Sequence, residues 1–512
     1  MVPMTDTRAV ERSTVLRVAT DPTADRETAY ETARSTADAV PVVRTGPTGI
    51  DAVEPLVLAT VDGRTAFHPD PDRSTVADVV AALEDGDLLP DDATAVVEHD
   101  PETRSLPAPE RGPLSVGRRD VLGPCGWVNP LVPEDYDLVS TDRDAGGVAD
   151  AGLLGRGRGD AAANEDVGET WATVRETDGD PIVVVNANDA DDRQRVDRTL
   201  LAAAPIAVLD GLASIAEHVG AEDAVLFVDE TDPDLHRHLT AAIDAAADVL
   251  PVVPQLVAGP DEYRAGAPTA ALEALEGNDR IEPRRQPPSP AVHGLYGRPT
   301  AIHSVRTVLQ VRRLLTDETD GASTADETGR DPGTRLFTVT GDVASPATVE
   351  LGPEDALGAA REAVDLEGSF KMACVGGVLG GLTESLDVPA TADALTAADL
   401  GTEGAIELLN DQRCAVATAG ERARFAAAEN SGRCVPGREG TKQLTELLRA
   451  VYDDSLESDA IRELGRVMSR TSNCRIGARA PRPVLTAMDA FEPEFRAHTD
   501  GRCPSGTCTE NL

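Results

Sequence analysis

Apolar positions change their period along this chain, and each change predicts a different kind of element. In residues 14–100, the short apolar runs Val15-Leu16-Arg17-Val18, Pro41-Val42-Val43 and Leu56–Val61 predict strands. Helix-permissive sequence from Glu27 to Ala39 and the amphipathic stretch Ala77–Leu83 predict helices, so this part reads as a small α/β unit. The uninterrupted run Ile182-Val183-Val184-Val185 predicts a parallel strand buried on both faces. A helix over Leu200–His218 and a strand over Asp223–Val228 follow, the alternation of a βαβ unit. Thr316–Thr334 is acidic and rich in Gly, Ser and Thr, the composition of a flexible linker. From Gly404 onward the pattern is helical. Leu444, Leu447, Leu448 and Val451 recur at helix spacing, as do Ile461, Leu464, Val467 and Met468, then Val484, Met488, Phe491 and Phe495. These stripes predict the core of a small bundle.

Composition narrows the setting. A chain of 512 residues can build several domains with substantial cores. Its net charge is −43 and its isoelectric point near 4.4, with lysine only at Lys371 and Lys442. Self-repulsion on this scale keeps a protein soluble and opposes compaction. Salt at 1 M shortens the Debye length to about 3 Å and removes most of that repulsion. The acidity runs along the whole chain, so the expected setting is the cytoplasm of a salt-loving organism. No basic patch offsets it, which excludes nucleic acid as a partner. Met1–Arg12 lacks the apolar core of a signal peptide. The longest apolar run, Leu200–Leu209, contains Pro205 and stops at Asp210, so direct membrane insertion is not expected. Seven cysteines, an odd number, do not suggest a disulfide framework.

Candidate chemistry falls at a few places. The loop Glu429-Asn430-Ser431-Gly432-Arg433-Cys434-Val435-Pro436-Gly437-Arg438-Glu439-Gly440-Thr441 is followed downstream by Ser472-Asn473-Cys474-Arg475-Ile476-Gly477. Gly152-Leu153-Leu154-Gly155-Arg156-Gly157-Arg158-Gly159 is a Gly/Arg-rich run of the kind that brings backbone close to phosphate. A strand ending Asn186-Ala187-Asn188-Asp189 and a proline-rich segment from Ile281 to Thr300 follow it. Val375–Gly381 is glycine-rich but lacks the Lys and Ser/Thr of a phosphate-binding P-loop, so it reads as a tight turn. His303 has no partner motif and reads as a surface polar residue. Cys125 reads as a small semi-buried residue. His498, Cys503 and Cys508 close the chain with Cys-x4-Cys spacing, looser than typical zinc spacing.

In this order the segments resemble one family, the NADH-binding FMN flavoprotein subunit of respiratory complex I and of NAD-reducing hydrogenases. The resemblance implies an α/β and α+β multidomain chain. Residues 1–105 would be a thioredoxin-like domain, 106–146 a connector, and 147–315 a Rossmann-like FMN/NADH-type domain. A linker over 316–334 would lead to a β-grasp (SLBB, ubiquitin-like) domain over 335–400. A helical bundle of the 4Fe-4S type over 401–498 and a cysteine-bearing tail over 499–512 would complete it. It implies FMN at Gly155, Arg156, Gly157, Gly159, Asn186 and Asp189, a [4Fe–4S] cluster at the Glu429–Thr441 loop, electron transfer from NADH, and partners among the other subunits of an NADH dehydrogenase or hydrogenase-type complex. The chain departs from the family at those same places. Ser431 and Gly437 stand where two cluster cysteines belong, leaving Cys434 and Cys474. Pro47 and Asp51 replace the cysteines of an N-terminal [2Fe–2S] site, Thr170 a lysine, and Ala267 and Pro268 two glutamates. A non-enzymatic scaffold or assembly relative is therefore the alternative function. Cys503 and Cys508 are candidate zinc ligands; one arrangement would bring them together with Cys434 and Cys474, and the favoured alternative leaves two reduced, unrelated pairs.

Overall fold

The computed structural model describes residues 8–10, 12–21, 28–89, 91–139, 146–158, 163–188, 191, 193–316 and 331–508. Three sheets and a helical bundle organise them. Strands β1 (Thr14–Ala19), β2 (Val42–Thr45), β3 (Leu56–Val61), β4 (Arg64–Pro69) and β5 (Ala95–Glu98) form the first sheet in the order β2-β1-β3-β4-β5. Only β1 and β2 run parallel; the other pairs are antiparallel. Helices Thr28–Thr36 and Arg73–Glu84 lay Ala29, Ala33, Val76, Val79, Val80 and Leu83 on one face of this sheet. The second helix starts where the Asp72 carboxylate accepts the Thr75 N–H, a side-chain N-cap.

The second sheet is parallel throughout. β6 (Ile182–Asn186), β7 (Asp223–Asp229), β8 (Gln255–Gly259) and β9 (Thr300–Ser304) lie in the order β8-β7-β6-β9. The chain leaves β6 towards β7 on one side and returns to β9 on the other, so a crevice opens at the carboxyl ends of β6 and β9. The expected single helix over Leu200–His218 is two, Val196–Ala203 and Pro205–Val219, bent by 101°. Pro205 has no N–H to give and keeps Ala204 out of helical geometry. Among the described residues no single helix is long and apolar enough to cross a membrane, and this bent pair is buried in the core.

The third sheet contains β10 (Arg335–Gly341), β11 (Ala347–Leu351), β12 (Phe370–Val375), β13 (Gly381–Thr383) and β14 (Ala405–Asn410), in the order β11-β10-β14-β12-β13. β14 corrects the helical reading from Gly404 onward. Its Ile406, Leu408 and Leu409 fill the gap between β10, which it joins in parallel, and β12. Helix begins at Ala415. The bundle comprises Ala415–Glu429, Thr441–Ala450, Ser458–Thr471, Pro481–Ala490 and Glu492–Thr499. Leu444, Leu448, Val451, Ile461, Met468, Val484, Met488, Phe491 and Phe495 are buried there; Val467, expected in the core, is 39% exposed.

Candidate functional site: a filled crevice and two thiol clusters

The crevice between β6 and β9 collects the Gly/Arg-rich run. Gly155 pairs its backbone with Asn164 and Glu165. Gly157 has φ +122 and a Cβ there would meet Ser304 at 3.0 Å, so only glycine fits. Arg156 is buried and committed to structure: its guanidinium pairs with Asp331 at 2.5 Å and donates to the Thr334 carbonyl. Asn186 turns inward, its amide donating to the Ala265 and Gly266 carbonyls at 3.2 Å each. Gly159 and Asp189, the other two expected flavin contacts, lie outside the described residues.

Arg158 decides what the crevice can hold. Its guanidinium stacks 4.1 Å from the Tyr263 ring centroid and donates to the Tyr263 carbonyl. Its Nη2 reaches within 1.8 Å of where a Cβ on Gly266 would stand, so Gly266 exists to let it pass. Two cavities of about 20 Å³ remain on either side of it, one lined by Asn186, Asn188, Ser304 and Arg306, the other by Tyr263, Arg264, Leu379, Arg475 and Arg479. Each has room for about one water, whereas small-molecule sites enclose roughly 300–1,000 Å³. Among the described residues, neither of these two cavities fits FMN. A larger space of about 670 Å³ lies along the β6–β7 side, between Asp191, Asp229 and Asp232 and the guanidiniums of Arg195 and Arg198. Those arginines are already paired, Arg195 with Asp51 and Arg198 with Asp21 and Asp232.

His303 is not a surface residue. It is 4% exposed on β9, and Trp171 Nε1–H donates to its Nε2 at 2.9 Å. That bond makes Nε2 an acceptor and the ring neutral, and burial pushes its pKa down to about 4. Three residues on, Arg306 forms a buried pair with Asp197 at 2.9 Å and donates to the Glu403 carbonyl, tying this crevice to the third sheet.

The four C-terminal cysteines fall in two separate pairs and do not converge on one site. Cys434 and Cys474 are buried with Met468, Ile476 and Ala480, below the tight turn at Val378 and Leu379. Cys503 and Cys508 instead pack against the core formed by the helices Ala415–Glu429 and Glu492–Thr499. There Cys414, His498, Cys503 and Cys508 present four ligand atoms all within 4.8 Å of one another. Cys414 Sγ lies 3.4 Å from His498 Nε2. His498 Nδ1 is 2.7 Å from the Glu494 carbonyl, a bond that holds its proton there and leaves Nε2 as a lone-pair donor. Burial raises the Cys414 and Cys508 thiols. At Cys503 burial is outweighed by backbone hydrogen bonds from Cys508 and Thr507 and side-chain bonds from Cys508 and His498, which bring the thiol down to about 6. Cys414 follows β14 without any short-range ligand spacing, so nothing in the sequence marks it. Cys125 is fully buried and its thiol pushed up to about 12 by burial.

Comparison with known proteins adds a consistent likeness. Residues 148–313 match the Nuo51 FMN-binding domain and residues 417–498 the NADH-ubiquinone oxidoreductase-F iron-sulfur binding region. The F-subunit of NADH-quinone oxidoreductase from Streptomyces coelicolor is 30% identical over 383 residues, 70% of this chain and 83% of that protein. The HndC subunit of an NADP-reducing hydrogenase from Solidesulfovibrio fructosivorans is 26% identical, over 76% of this chain and 85% of its own. A solved NAD+-reducing [NiFe]-hydrogenase shares the fold over 94% of this chain and 84% of its own, with a TM-score of 0.63 at 24% identity.

Proposed function

The chain belongs to the family of the F-subunit of NADH-quinone oxidoreductase, and from that premise we propose that it holds the flavoprotein position in a multi-subunit NADH dehydrogenase or hydrogenase-type assembly, as a scaffold. FMN, where a relative binds it, would supply the hydride acceptor. Here Arg158 carries the reading: it stands in the crevice, locked between Tyr263 and Gly266. The domain roles follow the family order, with a thioredoxin-like first unit and a β-grasp third sheet, and the setting is a salt-rich cytoplasm. The second reading, NADH oxidation through bound FMN, draws on the retained Asn186 at the carboxyl end of β6. Heat release of flavin from protein purified in high salt separates them. A colourless protein with no released flavin supports the scaffold; one FMN per chain overturns it.

The tail supports a further element of this reading, a structural zinc at Cys414, His498, Cys503 and Cys508. Three thiols and one imidazole are a closed structural zinc set. With bonds of 2.0–2.3 Å, tetrahedral zinc needs ligand atoms roughly 3.7 Å apart, a small contraction from the present arrangement. The ion would pin residues 501–508 against the junction of β14 and the bundle. Elemental analysis should give one zinc per chain in wild type and none in a Cys503→Ser/Cys508→Ser double mutant. Equal metal in both would refute the site.

A further inference from the structure

Cys434 and Cys474 are the cysteines left in a loop that resembles a cluster-binding one, and their arrangement is not that of cluster ligands. Their sulfurs converge on the same point, 3.0 and 3.6 Å from where a Cβ on Gly437 would stand, and the two thiols share a hydrogen bond. A four-iron cluster must stand between its thiolates; here one thiol stands against the other, and Ser431 and Gly437 supply no further sulfur. The cluster does not fit these residues.

What the geometry does fit is thiol–disulfide chemistry. Cys434 Sγ accepts the N–H groups of Gly437 and Asn473, both at 3.4 Å. Cys474 Sγ accepts the Gly477 N–H at 3.5 Å and is hydrogen-bonded by the Ser431 hydroxyl. Donors of this kind favour a thiolate, the form that attacks a disulfide, while burial outweighs them at Cys474 and raises its thiol. The two cysteines come from different elements. Cys434 sits just before the π-helical turn Pro436–Gly440 that leads into helix Thr441–Ala450, and Cys474 caps the short helix Arg475–Arg479. Cys434 is 7% exposed and Cys474 5%, and Cys434 adjoins Val435, which is 62% exposed, so Cys434 is the nearer of the two to solvent.

We infer that Cys434 and Cys474 form a reversible dithiol–disulfide couple that exchanges with low-molecular-weight disulfides. The Cys434 thiolate attacks one sulfur of the reagent, forming a mixed disulfide and releasing one thiolate, which takes up a proton. The Cys474 thiolate then attacks Cys434 Sγ, closing the intramolecular bond and releasing the second thiol. The protein loses two electrons and two protons and the reagent gains them. The product ties the 431–441 loop to the start of the Arg475–Arg479 helix, beside the arginine-lined cavity that Arg475 and Arg479 share with Arg158.

The test equilibrates the full chain with mixtures of reduced and oxidised glutathione, quenches with acid, alkylates the free thiols and maps them by mass spectrometry. It is run on wild type and on the C503S/C508S variant, so that tail thiols cannot mask the result. The expected outcome is loss of two alkylatable thiols and a linked peptide pair containing Cys434 and Cys474. Cys434→Ser should abolish the link and leave Cys474 alkylated. In Cys474→Ser, Cys434 should accumulate as a glutathione adduct, which also shows that the folded site is reached. Full alkylation of both cysteines at every ratio, or a link to any other cysteine, overturns the couple. So does reconstitution with iron and sulfide to about four irons per chain that Cys434→Ala removes.

Discussion

Arg158 shows how much one side chain can change a site. It fills space, stacks on Tyr263 and brings a charge that Gly266 is shaped to admit. Arg158→Gly should open the two small cavities into one and strengthen FMN binding by about tenfold or more, some 1.4 kcal/mol, measured by quenching of flavin fluorescence. Unchanged binding would mean that the lost lysine at Thr170 and the lost glutamates at Ala267 and Pro268 decide the matter. His303 makes a different point, about pH. Its folded pKa near 4 lies below the ordinary 6.5. Between those values the unfolded chain takes up a proton that the folded one refuses. Stability is therefore fully present above about pH 6.5 and falls as the pH drops towards 4. At pH 4.5 the loss is about 3 kcal/mol. Chemical unfolding at pH 7 and 4.5 should show wild type losing that much more than His303→Gln, whose amide oxygen still accepts from Trp171.

Elements are joined here by buried polar groups as much as by apolar faces. Glu350 on β11 is fully buried, and its carboxylate accepts the Val121 and Leu122 N–H groups at 2.9–3.0 Å and the Thr334 hydroxyl. Those bonds hold the connector before Cys125 against the third sheet, and burial raises the carboxyl's pKa. Glu350→Ala leaves two buried N–H groups and a hydroxyl without that acceptor, an expected cost of about 3–9 kcal/mol at roughly 1–3 per group. Glu350→Gln keeps an acceptor oxygen and should cost less than half as much; denaturant midpoints compare them. The five strands expected in the first two sheets match β1, β2, β3, β6 and β7 within a residue or two, because period-2 and continuous apolar runs report local geometry. β4, β5, β8 and β9 carried no such expectation. β14 escapes a reading by period because Ala405–Asn410 is a short run directly before helical sequence, and its partners, β10 and β12, are distant in the chain.

The charge of −43 acts at the scale of the whole molecule. Ion pairs such as Arg306–Asp197 and Arg312–Asp210 are buried and little screened, while the surface acidity repels itself. Dilution from molar salt to 0.1 M lengthens the Debye length from about 3 to about 10 Å. The melting temperature should fall on that dilution. A melting temperature that stays constant, or rises, would show that the acidity is not a salt adaptation.

The sequence alone determined the family resemblance, five strands of the first two sheets, the bundle stripes and the absence of cysteine at Ser431 and Gly437. These depend on residue type and on spacing within a segment, and the chain carries both directly. Only the tertiary structure decided that Arg158 occupies the crevice, that His303 is buried against Trp171, and that the cysteines divide into Cys434–Cys474 and Cys414–His498–Cys503–Cys508. Each of these joins residues from separate elements. Whether two such groups meet depends on how sheets and helices pack, which no local period encodes. Cys414 is the clearest case: it lies 84 residues from His498 in sequence and 3.4 Å from it in space.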